Sequence, residues 1–214
     1  MRDGRRTLVV GMSGSGKTAW TMQQTADARR LLVWDAVGEW SEQRRVTPFR
    51  DLRVLVDHLR PQLADHRRVP EREALGFCGP VTVANFAVFC RLAWVWLRLK
   101  RGSVLVVEEL ADVTTPGRAP DEWGEIVRKG RHYSADVYAV TQRPAESDKT
   151  ILGNSGLIHV GMMAFPRDRA YMAECLDVPR GEVAMLKPLE WIERDLRTRE
   201  LRRGVVEFRR ARVR

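Results

Sequence analysis

Apolar residues in this chain fall in short unbroken runs rather than in alternating stretches. Such runs occupy residues 7–10, 31–34, 81–83, 103–107, 136–141 and 157–162. Runs of mostly aliphatic residues without polar alternation predict strands buried on both faces. Between them, helical candidates lie at about 17–28, 49–60, 85–100, 120–131 and 166–176. Strands alternating with helices predict βαβ units and an α/β fold, a mainly parallel sheet flanked by helices. Ligands of such sheets sit at the carboxyl ends of the strands. Those ends carry Gly11 to Thr18, Asp35, Glu108 with Glu109, and Gln142. Towards the carboxyl terminus, residues 189–193 and 205–208, separated by charged residues and Gly204, predict a small antiparallel β-hairpin.

The first of these strand ends has explicit chemistry. Gly11, Met12, Ser13, Gly14, Ser15, Gly16, Lys17 and Thr18 form a complete G-x-x-x-x-G-K-[ST] loop directly after the run 7–10. Its glycines let the backbone curl so that several N–H groups face one phosphate chain. Lys17 has the reach for the β- and γ-phosphates, and the Thr18 hydroxyl can serve Mg²⁺. The helix that follows directs the positive end of its dipole at the same phosphates. The motif implies that the chain binds ATP with Mg²⁺.

Composition narrows the rest. The 214 residues suit a single P-loop domain, with a core over about 5–187 and a basic hairpin and tail over about 188–214. Three widely spaced cysteines, Cys78, Cys90 and Cys175, argue against a disulfide scaffold and fit a reducing compartment. Residues 86–99 are the most apolar stretch, yet they carry Arg91 and are too few to span a bilayer. They predict a buried amphipathic helix in a soluble protein. The net charge is +9, and residues 196–214 hold eight Arg against two Glu. A basic excess of this kind suits a polyanion such as nucleic acid, although an arginine-rich solvated surface would look the same.

Two further segments place polar groups at strand ends. Ser103-Val-Leu-Val-Val-Glu-Glu-Leu110 has the form of a Walker B strand, in which an apolar run delivers acids to a metal shell. We assign Glu108 to the Mg²⁺ shell and Glu109 to the catalytic base that polarises water, with the reversed assignment as the alternative. Glu108 is one methylene longer than the usual Asp, so contact through a water is the alternative to direct ligation. The run 136–141 ends in Gln142, and Pro144 then stops the strand. If that strand lies between the P-loop strand and the Glu-Glu strand, Gln142 reaches the γ-phosphate and can orient the lytic water.

The order of these motifs resembles the FtsK/HerA superfamily of DNA-pumping ATPases. Asp35-Ala-Val-Gly-Glu-Trp40 is similar to the Asp-Pro-x-Gly-Glu-Tyr turn of the HerA branch, departing at Ala36 and Trp40. Thr141-Gln-Arg-Pro144 matches the FtsK branch, and Gly130-Arg-His132 looks like the family's Gly-Arg-His run. In its compact length the chain looks most like the genome-packaging ATPases of membrane-containing icosahedral viruses. The resemblance implies a RecA-like core and a ring, expected as a hexamer, that moves double-stranded DNA through its channel without reading sequence. It implies a soluble location in the host cytoplasm or at the packaging vertex, with a capsid-vertex or membrane protein as partner. An arginine from a neighbouring subunit would complete catalysis, Arg131 first and Arg128 second. A guanidinium grips two phosphate oxygens at once, which Lys129 cannot do. The turn at residues 116–118 is a candidate channel loop. The alternatives are a zonula-occludens-toxin-like assembly ATPase of filamentous phage and a cellular HerA-like or conjugative translocase. A small-molecule P-loop kinase would account for the length but not for the Glu-Glu strand or the Thr-Gln-Arg-Pro element.

Overall fold

The computed structural model describes residues 3–117 and 120–207. In chain order it forms β1 (Arg6–Val10), α1 (Lys17–Gln24), β2 (Arg30–Trp34), α2 (Glu39–Glu42), β3 (Thr47–Phe49), α3 (Leu52–Ala64), β4 (Glu73–Phe77), α4 (Val83–Leu99) and β5 (Val104–Val107). There follow α5 (Leu110–Val113), α6 (Asp121–Lys129), β6 (Asp136–Thr141), α7 (Lys149–Asn154), β7 (Leu157–Gly161), α8 (Pro166–Leu176), α9 (Arg180–Ala184), β8 (Glu190–Asp195) and β9 (Leu201–Val205). The strands make one sheet in the order β3-β4-β2-β5-β6-β1-β7-β8-β9. Pairing is parallel from β3 across to β7 and antiparallel through β8 and β9. This is the mixed α/β architecture that the alternation of runs predicts.

Every residue of β1, β2, β5 and β7 is buried, which is why their apolar runs show no alternation. One face packs Leu32, Trp34, Leu105 and Val107 against α3, α4 and α6. There α4 supplies Phe86, Phe89, Cys90, Ala93, Trp96 and Leu97, a helical stripe spaced by three and four residues. Arg91 sits on its outer side beside Glu122. Among the described residues no helix is long and apolar enough to cross a membrane. The other face packs Val9, Val33, Val106 and Val140 against Trp20 of α1 and Trp40 of α2.

Several expectations need correction. No strand forms at residues 81–83. The Thr82 hydroxyl instead accepts the Asn85 amide N–H at 3.1 Å and caps α4, which begins at Val83. The strand of that region is β4, where Glu73 and Gly76 interrupt the apolar run. Gly76 is required by close approach, since a Cβ there would lie 2.4 Å from Val46 Cγ2. Residue 49 ends β3 rather than starting a helix, and α3 begins at Leu52 after the Asp51 carboxylate accepts the Arg53 N–H. The first helix stops at Gln24 rather than 28, and the helix over 120–131 stops at Lys129, where a tighter turn from Gly130 to Tyr133 takes over. The carboxyl-terminal hairpin is present, but its second strand is Leu201–Val205. Val206 leaves the sheet and is buried against α1, while Phe208 and the arginines at 209, 210, 212 and 214 lie outside the described residues.

Candidate nucleotide site at the ends of β1, β5 and β6

Because β6 pairs with β5 on one side and β1 on the other, three chemically marked strand ends converge. The P-loop leaves β1 between the flanking strands: the Gly11 N–H donates to the Thr141 carbonyl at 3.3 Å and the Met12 N–H to the Met162 carbonyl at 2.8 Å. Gly14 and Gly16 take φ values of 77° and 89°, which L side chains rarely adopt. Gly16 is needed twice over, because a Cβ there would lie 3.0 Å from Val206 Cγ2 and 3.1 Å from Leu189 Cδ2. The segment that follows β9 thus roofs the start of α1, and at the other end of that helix Gln23 Nε2 donates to the Glu207 carbonyl at 2.8 Å. Nothing in the sequence around Val205-Val206 signals that contact, since Gly16 is 190 positions away from Val206.

Glu109 is the hub. It is 8% exposed, and its Oε1 lies 3.4 Å from Lys17 Nζ and accepts from Gln142 Nε2 at 2.7 Å. The other end of Gln142 returns to the P-loop, where Oε1 accepts the Ser13 amide N–H at 3.1 Å. One amide side chain therefore joins the phosphate loop to the acid. The backbone of Glu109 is left-handed, with φ 48° and ψ 53°, at a cost of roughly 1–2 kcal/mol for a residue bearing a Cβ. That turn sends two successive carboxylates to different partners. Glu108 faces α2, where the Trp40 indole N–H donates to its Oε1 at 3.0 Å. Burial, opposed by that hydrogen bond and by Lys17, pushes the Glu108 carboxyl up from its ordinary 4.5 to about 7. Burial beside Glu109 also raises Asp112.

Asp35 does not enter the cleft. Its carboxylate accepts from the Trp40 N–H at 3.3 Å, the Ser41 N–H at 3.0 Å and the Ser41 hydroxyl at 2.6 Å, closing the turn that carries Trp40. A cavity of about 500 Å³ opens beside Ser13, Glu109 and Gln142, rimmed by Val37, Arg143 and Phe165. Arg143, which sequence reasoning left without a role, stacks on Phe165 at 4.2 Å and pairs with buried Asp168 at 3.3 Å.

Arg128 and Arg131 lie elsewhere. Both are exposed, and the Arg131 carbonyl accepts the Gly4 N–H just before β1 begins. They belong to the amino-terminal edge of the sheet, a strand's length from the P-loop, about 15–20 Å at the rise of an extended chain. Within one chain they do not reach Lys17. The turn at 116–118 ends on Arg118, outside the described residues.

The chain is 33% identical over 186 residues to protein P9 of Pseudoalteromonas phage PM2, a match covering 84% of this chain and 78% of that protein. The chain belongs to the family of protein P9. No family model matches it. Among solved structures, the genome packaging NTPase B204 of Sulfolobus turreted icosahedral virus 2, in complex with sulfate, superimposes with a TM-score of 0.73 at 13% identity. That match covers 98% of this chain and all of that one. VirB4 of Thermoanaerobacter pseudethanolicus matches with a TM-score of 0.69 at 12% identity, over 97% and 90% of the two chains. This chain thus shares the RecA-like α/β fold of these solved structures, as the alternation of strands and helices predicts.

Proposed function

We propose that this P9-family chain is a Mg²⁺-dependent ATPase that translocates double-stranded DNA, packaging a viral genome into a preformed capsid. The observation that carries the reading is the position of β6 between β1 and β5, which sets Gln142 against both the P-loop and Glu109. The residues fit a bound triphosphate. The Ser15 hydroxyl is buried in the P-loop with no hydrogen-bond partner among the described residues, and a Cβ at Gly14 would meet nothing within 4 Å. They also fit Mg²⁺. No group of three or more His, Cys, Asp or Glu forms a metal cage among the described residues, and a magnesium ion shared with phosphate oxygens needs only one or two protein ligands. Thr18 and Glu108 would hold it, and when bound it would neutralise charge developing on the phosphates.

The chain's own groups then divide the work. Lys17 exchanges Glu109 for phosphate oxygens, and the P-loop amides, Ser13 included, turn to the same ligand. That exchange frees the Glu109 carboxylate to take a proton from water, with Gln142 orienting the water and reporting the γ-phosphate. Arg131 of an adjacent copy, or Arg128, supplies transition-state charge. Its separation from Lys17 in one chain supports a role between subunits and a ring, expected as a hexamer. DNA is held through phosphates by basic residues, without sequence reading. A capsid-vertex or membrane protein would anchor the ring.

The test pairs turnover with solution mass. ATP hydrolysis accelerated by double-stranded DNA, in an oligomer, is the expected result. Hydrolysis by a monomer with no response to DNA would overturn the translocase reading, and failure to bind ATP would overturn the whole.

A further inference from the structure

We propose that Trp40 is a positioning residue for Glu108, holding the carboxylate where the metal shell needs it; this rests on the nucleotide-site reading above. Trp40 is 1% exposed, and its indole N–H points at Glu108 Oε1 at 3.0 Å. An indole nitrogen can only donate, so in this place it selects an acceptor and orients it. Orientation matters more for a glutamate than for an aspartate, since the extra methylene adds a rotatable bond. The donor is itself held firmly. Asp35, just past β2, accepts the Trp40 and Ser41 amides and so fixes the turn, while β2 pairs directly with β5, the strand that leads into Glu108. Trp40, on the α2 turn that follows β2, and Glu108, just past β5, thus stand beyond the ends of neighbouring strands of one sheet, and the loop from β2 to α2 reaches the cleft at Val37, which is 60% exposed. The chemistry requires a buried ring with a donor, not an indole as such.

The test uses Trp40→Phe, which keeps the buried ring and removes the donor, and Trp40→Tyr, which restores a donor. Calorimetric titration with ATP measures affinity at a series of Mg²⁺ concentrations. Trp40→Phe should leave affinity without Mg²⁺ unchanged and raise the Mg²⁺ concentration for half-maximal effect about tenfold, the order expected for one hydrogen bond to a charged group. Trp40→Tyr should recover most of that loss. In a Glu108→Ala background, which removes the acceptor, Trp40→Phe should add less than about a twofold change, since coupled residues are not additive. A folded Trp40→Phe with wild-type Mg²⁺ dependence, or an undiminished effect in the Glu108→Ala background, would overturn the proposal. Should Trp40→Phe fail to fold, the indole ¹⁵N–H spectrum of the wild-type chain decides. One resonance should shift both with Mg²⁺–ATP and with Glu108→Gln, and the absence of any common shift refutes the contact. A wild-type chain that binds no ATP would instead sink the nucleotide-site reading.

Discussion

Replacing Glu108 by glutamine should stabilise the protein in the absence of nucleotide and Mg²⁺ above pH 7, and change little at pH 5. The Glu108 side chain is 3% exposed, and burial lifts its carboxyl from 4.5 to about 7. A raised acid binds its proton more tightly in the folded state than in the unfolded one. Between those two values the unfolded chain is ionised while the folded chain is not, so stability falls as pH rises. At 1.36 kcal/mol per unit the loss over this window is roughly 3 kcal/mol, complete once pH passes the folded value. Glutamine is neutral throughout and still offers an oxygen to the Trp40 indole. His159 complicates the raw curve. Burial between Trp20 and Trp191 lowers it, so its contribution rises with pH up to its unfolded value of about 6.5. Subtracting the two proteins cancels that term. Urea denaturation at steps from pH 5 to 8.5, with chelator present, measures the difference. A wild-type-minus-variant difference that is flat across the range would refute the burial argument.

Three other outcomes are expected, two from the site's geometry and one from the charge of the carboxyl terminus. Glu109→Gln should retain Mg²⁺–ATP binding by calorimetry and lose turnover, whereas Glu108→Gln should raise the Mg²⁺ requirement; normal hydrolysis by the first with a dead second reverses the two roles. Arg131→Ala should bind ATP normally and hydrolyse it on the order of 10³-fold more slowly or worse. Mixing it with Lys17→Ala should restore activity at hybrid interfaces, and no rescue despite co-assembly would exclude a finger in trans. Deleting residues 209–214 removes four arginines and should reduce the dependence of DNA affinity on log salt concentration; an unchanged slope would place the grip elsewhere.

The P-loop and its helix were legible because their requirements are local. A glycine-rich turn between an apolar run and a helix is specified by adjacent residues, and the same holds for the Glu-Glu end of β5 and the stop at Pro144. The central strands were legible for a related reason: burial on both faces leaves continuous apolar runs. What the chain did not disclose depends on partners distant in sequence. β4 is a strand because β2 and β3 flank it, despite Glu73 and Gly76, and residues 81–83 are loop and cap because Thr82 has a helix to start. Gln142 could be tied to the site only conditionally, since strand order is a choice among packings that no single segment makes. The separation of Glu108 from Glu109 rests on one left-handed residue and on Trp40, 68 positions away. The roof of Val206 over Gly16 closes a loop of still greater length. Local chemistry is written in neighbouring residues, but which strand ends meet is decided by the packing of the whole sheet.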